Sequence, residues 1–118
     1  MMFIGIDISK EKIDLSWLRD QLTNKIKTKV FKNKHQDFEK IEKWLLNTTK
    51  SVASELVITL EPTGVYHEAL MYFLHEQGFN IILANTGKAK KYADALNIIH
   101  KTDKSDATML AHYGCAKH

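Results

Sequence analysis

With 118 residues, 44% of them hydrophobic and 26% charged, the chain is the size of one ordinary domain and has enough apolar material for a core. Its net charge of +3 permits contact with nucleic acid without requiring it. A single cysteine, Cys115, excludes an internal disulfide and points to a reducing compartment, and no apolar run approaches the roughly 20 residues that span a bilayer. The N-terminal apolar run is too short for a signal peptide and contains Asp7. One proline and five glycines leave no flexible linker. The expectation is a single soluble, cytoplasmic domain over residues 1–118.

Met2 to Ile8 is an apolar, β-branched run of the kind that forms a strand buried on both faces. After the polar turn at Ser9-Lys10-Glu11-Lys12, the residues Ile13, Leu15 and Trp17 alternate with Asp14 and Ser16, which predicts a second, half-buried strand. A turn from Arg19 to Asn24 leads to a third. There Ile26, Thr28 and Val30 predict an apolar face, and Lys25, Lys27 and Lys29 a lysine face. Two readings of those lysines stand side by side: protection of a sheet edge, and contact with phosphate. Asn33 followed by Gln36 predicts a helix start, with Phe38, Ile41, Trp44 and Leu45 on one face as far as about Thr48.

Leu56 to Leu60 predicts the fourth strand, followed directly by Glu61 and a tight turn at Pro62-Thr63-Gly64. The next helix is expected to turn Tyr66, Ala69, Leu70, Phe73 and Leu74 inward and to stop at Gly78. Phe79 to Ala84 predicts the fifth strand. Asn85-Thr86 caps a helix to about Leu96, with Ala89, Tyr92, Ala93 and Leu96 inside and Lys88, Lys90 and Lys91 outside. Thr102 is the expected cap of a last helix from Asp103 to about Gly114.

The order β-β-β-α-β-α-β-α-α is the pattern of the ribonuclease H-like fold, an α/β class with a mixed five-stranded sheet flanked by helices. Hairpins make the first three strands antiparallel, and crossovers make the fourth and fifth parallel to the first.

Four acids stand out within this order. Asp7 points away from Ile4, Ile6 and Ile8 on the first strand, and Glu61 closes the strand expected beside it. Ligand sites in open α/β sheets lie beyond the carboxyl ends of the strands, so the two can meet. Asp103 and Asp106, three apart on the last helix, share its inward face, which continues through Ala107, Leu110 and Tyr113. Clustered carboxylates repel, and a divalent cation removes the repulsion; oxygen-only ligands favour Mg2+ or Mn2+. Two such ions serve phosphodiester cleavage by activating the attacking oxygen and stabilising the leaving one. Each acid also has a purely structural use: Asp7 can accept from turn amides, Glu61 can cap the following helix, and Asp103 and Asp106 can complement a helix dipole.

Gly5-Ile6-Asp7-Ile8-Ser9-Lys10, Leu60-Glu61-Pro62-Thr63-Gly64 with Tyr66-His67, and Lys101-Thr102-Asp103-Lys104-Ser105-Asp106-Ala107 together resemble the N-terminal domain of the DEDD transposases. This is the insertion-sequence group that includes the pilin-gene-inverting recombinases (Piv and MooV), whose domain is similar to the Holliday-junction resolvase RuvC. The resemblance covers essentially the whole chain. It implies that Asp7, Glu61, Asp103 and Asp106 are catalytic metal ligands and that the substrate is DNA, cleaved and exchanged in transposition or inversion. It also implies a guide RNA for some members, homo-oligomers of the full-length protein, and a C-terminal transposase domain carrying a serine nucleophile. That second domain has no room before His118, so the chain is expected to be the catalytic domain alone.

Lys88, Lys90, Lys91, Lys101 and Lys104 are candidate DNA contacts, with a solvated surface as the alternative. Thr63 and Gly64 set the turn after Glu61, and an exposed amide there is a candidate phosphate contact. His67, His75, His100 and His112 make no zinc pattern with Cys115, which reads as incidental; His67 is a candidate supporting residue for Glu61. Trp17 and Trp44 read as core. Three rival readings remain: an actin-like or sugar-kinase ATPase, a stand-alone junction resolvase, and a non-catalytic nucleic-acid-binding or oligomerisation module. The first is weakened because no glycine follows Asp7 to let a backbone approach nucleotide phosphates.

Overall fold

The computed structural model describes residues 1–20, 25–96 and 105–118. Five strands, β1 (Met2–Ile8), β2 (Lys12–Asp20), β3 (Lys25–Lys32), β4 (Leu56–Leu60) and β5 (Asn80–Leu83), form one sheet in the order β3-β2-β1-β4-β5. β2 runs antiparallel to β1 and β3, while β4 is parallel to β1 and β5. Among the described residues there are four α-helices: α1 (Phe38–Thr49), α2 (Glu68–Glu76), α3 (Thr86–Leu96) and α4 (Asp106–Lys117).

The register explains the two layers. Ile6 pairs with Leu15 on one side and Leu60 on the other, and Ile4 with Trp17 and Ile58. Alternation therefore sends Ile4, Ile6, Ile8, Ile13, Leu15, Ile58 and Leu60 to one face. There they form the main core with Phe38, Ile41 and Leu45 of α1 and Leu70 and Leu74 of α2. α1 buries Phe38, Ile41, Leu45 and Thr49, an i, i+3, i+7, i+11 stripe. It ends where Lys50 turns left-handed at φ 52° and its amide bonds to Leu46.

The opposite face carries Phe3, Gly5 and Asp7 of β1, and α4 lies on it. Gly5 pairs with Ser16 and Thr59, and Ser16 with Thr28, so small residues cross β4, β1, β2 and β3 in a row. α4 settles into this row with Thr108 hydrogen-bonded to Ser16 (Oγ1···Oγ 2.8 Å), Ala107 and Ala111 against Gly5, and Gly114 against Thr59. A Cβ on Gly5 would collide with the Ala107 carbonyl oxygen and stand 2.6 Å from the Ala111 nitrogen. The glycine is thus a requirement of the close helix–strand approach. The His118 ring meets Phe3 edge-on at 5.8 Å, so α4 runs antiparallel to β1 and its N-terminus comes to the Asp7 end. α3 packs on α4 through Ala89, Met109 and Leu110.

Several sequence expectations are corrected. The face of β3 bearing Thr28 and Val30 is uncovered, with Val30 57% exposed, because α4 reaches only as far as β2. Asn33 does not start α1; a 3-10 turn at His35–Asp37 comes first, and the Asn33 amide instead ties two loops together. Tyr66 and Ala69 are exposed rather than inward, because α2 begins only at Glu68; Leu70 and Leu74 are the buried pair. Trp17 and Trp44 are half-buried at the rim of the core. β5 is shorter than expected, and Phe79 is buried just before it. Asn85 does cap α3, its Oδ1 accepting from the Lys88 amide at 3.1 Å. Of the side chains expected inside α3, Ala89 is buried and Tyr92 half-buried; those of Ala93 and Leu96 lie outside the description.

α4 begins at Asp106. Ser105 is its N-cap, extended at φ −69° and ψ 152°, with its Oγ accepting from the Thr108 amide at 3.2 Å. The expectation of one helix carrying both Asp103 and Asp106 fails here, since the chain leaves helical geometry at Ser105. Lys101, Thr102, Asp103 and Lys104 lie outside the described residues, as does His100.

Candidate active site

Three of the four acids singled out from the sequence lie within the described residues, and the fold gathers them at one end of the sheet. Asp7 sits near the carboxyl end of the central strand on the α4 face. Asp106 is the first residue of α4, delivered to that end by the close packing on Gly5. Glu61 follows Leu60, the partner of Ile6, so continuing the β1–β4 register places it beside Asp7. Burial is the largest cause that pushes the Asp7 carboxyl above its ordinary value; repulsion from Asp106, Asp14 and Glu61 adds to it, and Lys12 opposes it.

Asp14 is a further acid here, one that the sequence alone does not single out. It is the direct cross-strand partner of Asp7 on β2. Like charges placed opposite one another destabilise a sheet. Lys12 offsets part of this with an ion pair to Asp14 at 3.7 Å. Only the strand register reveals the Asp7–Asp14 pair; in the sequence Asp14 is one polar residue of an alternating strand.

An open groove of about 290 Å³ runs from Asp7, Asp14 and Asp106 over the uncovered face of β3, past Thr28 and Val30. The N-terminus of α4 adds its positive dipole end to this groove. Among the described residues no three His, Cys, Asp or Glu stand close enough to hold a metal ion. The donor chemistry still suits a hard cation, because the groups converging on Asp7 are carboxylate oxygens.

The loop after Glu61 is held from three sides. The Thr63 amide donates to His67 Nδ1 at 3.1 Å, and the Thr63 hydroxyl to the Ile8 carbonyl at 3.4 Å. Asn33 Nδ2 donates to the carbonyls of Tyr66 (3.2 Å) and Ser9 (2.8 Å). His67, 7% exposed, therefore accepts through Nδ1 and supports the loop rather than a metal. The Thr63 amide is occupied and is not a free phosphate contact. Gly64 adopts φ 60°, where a glycine is favoured.

Lys88, Lys90 and Lys91 are exposed on α3. Lys29 lies over the Phe31 ring at 5.9 Å, and Phe31 packs against the α1 side. Alternation puts Lys25 and Lys27 on that same side, away from the acids. Burial pushes the Cys115 thiol up, which makes it a poor nucleophile.

A mixed sheet in this order, with an acid on the central strand and a helix delivering another across its face, defines a ribonuclease H-like domain of RuvC type. The solved structure of RuvC from Thermus thermophilus shares this fold with a TM-score of 0.61, covering 99% of this chain and 96% of its own, at 13% sequence identity. The sequence model of the IS110-type DEDD transposases, described as "Transposase", matches residues 4–118, and the chain belongs to that family. It is also 32% identical over 112 residues to the pilin gene-inverting proteins of Moraxella bovis and Moraxella lacunata. Those matches cover 95% of this chain but 34% of each relative, so the chain spans about a third of their length. Among the described residues, no helix is long and apolar enough to cross a membrane.

Proposed function

We propose that this domain is the metal-dependent phosphodiester-cleaving part of a DNA transposase or inverting recombinase, with Asp7, Glu61, Asp103 and Asp106 as ligands for Mg2+ or Mn2+. The observation that carries the reading is the approach of Asp106 and Glu61 to a part-buried Asp7, whose proton affinity is raised first by burial and then by repulsion from Asp106, Asp14 and Glu61. A divalent ion bound there would neutralise the clustered charge and stabilise charge developing on the phosphate oxygens. Asp7 gives a fixed ligand because β1 is paired on both sides. Asp106 is oriented by the Ser105 cap, and Glu61 by the loop tied through Thr63, His67 and Asn33. The open groove over β3 gives a DNA strand access to these acids from the side. In a longer protein the reading extends to a second copy of the chain and, for some members, a guide RNA, acting on DNA in the cytoplasm.

Calorimetric titration with Mn2+ tests this, on the wild-type domain and on Asp7→Asn and Asp106→Asn, alone and with branched DNA. Binding that both substitutions abolish while the thermal transition persists supports one site shared by β1 and α4. Binding that survives both substitutions overturns it. Metal-dependent cleavage of a four-way junction by the 118 residues alone favours the stand-alone resolvase. DNA binding without metal binding under either condition favours a non-catalytic module.

A further inference from the structure

A second concave surface lies at the same end of the sheet. Lys10 and Glu11 in the β1–β2 turn, with Lys32, Asn33 and Lys34 at the exit of β3, line a cleft of about 480 Å³. No described ion pair involves Lys10, Lys32 or Lys34. Lys32 stands directly opposite Lys12 in the β2–β3 ladder, an arrangement of like charges that costs stability. The corner is also stiff: the Asn33 amide donates to the Glu11 carbonyl at 2.9 Å, while its side chain spans Ser9 and Tyr66. Four exposed lysines on a rigid backbone corner, with Glu11, Asp14 and Asp37 as the nearby acids (Asp37 accepts from the Lys32 amide at 3.2 Å and pairs with Lys40 at 3.8 Å), form a surface that an anion would relieve.

The position of the corner identifies the anion. Alternation puts Lys12 and Lys32 on the same sheet face as Asp14 and Asp7, and Val30, two residues before Lys32, lines the groove that leads from the acids. Two residues of strand measure roughly 7 Å. Lys32 also lies two strands across from Asp7, each about 4.8 Å from the next, so it stands farther from the acids than that step alone. A polyanion brought to a cluster of carboxylates also needs cations beside it, since the acids alone repel it.

We propose that Lys10, Lys12, Lys32 and Lys34 form a phosphate-gripping corner that holds the DNA backbone a few nucleotides from the phosphate lying at the carboxylates. This rests on the nuclease reading above. The lysines of the opposite face, Lys25 and Lys27, have no part in it.

The test is anisotropy of a labelled branched DNA, and of an RNA duplex of equal length, titrated with the 118-residue chain in Ca2+ from 50 to about 300 mM salt, a range over which phosphate contacts are strongly screened. The corner variant is Lys10→Gln/Lys32→Gln/Lys34→Gln; Lys12 is kept because it pairs with Asp14. The control, Lys25→Gln/Lys27→Gln/Lys43→Gln, loses the same net charge from the α1 side. Thermal unfolding verifies that both are folded. The corner variant is expected to bind DNA about tenfold or more weakly, with the slope of log K against log salt reduced by about 2 to 3, and the control to change the slope by less than about 1. Equal losses in the two variants, or none in either, overturn the corner while leaving DNA binding intact. RNA binding that alone depends on the corner overturns its assignment to DNA. Wild-type chain that binds no DNA overturns the nuclease reading together with the corner.

Discussion

Replacing Gly5 by alanine probes the contact on which both the second layer and the acid cluster depend. The added methyl would collide with the Ala107 carbonyl oxygen and lie 2.6 Å from the Ala111 nitrogen and 2.9 Å from the Ala107 carbonyl carbon. All three atoms are backbone, so no rotamer change relieves the overlap. Restoring an ordinary separation of about 3.5 Å requires α4 to withdraw by about 1 Å or more. That movement would loosen the buried Ser16–Thr108 hydroxyl contact and the packing of Leu110 and Ala111. Overpacking of a well-filled core costs about 1 to 3 kcal/mol and sometimes more, and a backbone collision belongs at or above the upper end. A loss of about 3 kcal/mol lowers the urea midpoint by about 1 to 2 M for a domain of this size. Equilibrium urea unfolding followed by circular dichroism measures it. A sharper version uses Gly114→Ala, whose clash is with the Thr59 side chain: its cost should shrink in a Thr59→Ala background, whereas the Gly5→Ala cost should persist when Ala107 is replaced by glycine. A wild-type urea midpoint for Gly5→Ala would refute the claim that α4 is seated on this strand.

Asp7→Asn should stabilise the metal-free domain at neutral pH. Burial and the acids around Asp7 raise its proton affinity in the folded state, so the folded chain holds more protons than the unfolded chain from about pH 4 upward. Wild-type stability therefore falls as pH rises through the raised Asp7 range and levels off once Asp7 is ionised in both states. The variant should lack that fall, which thermal unfolding in EDTA from pH 4 to 8 would reveal; a parallel pH profile contradicts the reasoning. Ser105→Ala removes the α4 cap and one partner of the Thr108 hydroxyl, and should cost about 1 kcal/mol, measured by urea unfolding. Lys50→Gly should stabilise by up to about 1 kcal/mol, because Lys50 holds a left-handed conformation at the end of α1; a lower thermal midpoint would contradict this.

The main core was legible in the sequence because its signals are local. β1 and β4 are short runs rich in apolar, β-branched residues, and α1 repeats its apolar residues at helical spacing. Alternation in β3 announced an apolar face but carries no information on whether a helix reaches far enough to cover it, and none does over Val30. The sequence points to a start for α4 three residues early because Thr102 and Ser105 are both good caps, and the Ser105 backbone and its Thr108 bond decide for Ser105. Asp7, Glu61 and Asp106 were legible as a group through strand placement and family resemblance. Asp14 was not, since its closeness to Asp7 is a matter of register. Gly5 was likewise silent: what it permits is a contact with residues about a hundred positions away.

α4 is made after every strand it covers. Until it arrives, a nascent chain exposes Phe3, Gly5, Ser16, Val57 and Thr59 along one side of the sheet, and Asp7 has neither Asp106 nor the end of a helix beside it. The surface that finishes the fold and the acid that finishes the cluster come on the same twelve-residue helix. The chain order has a geometric consequence: Asp7 and Asp106 cannot be gathered at one end of the sheet unless the helix that closes the second core is also in place.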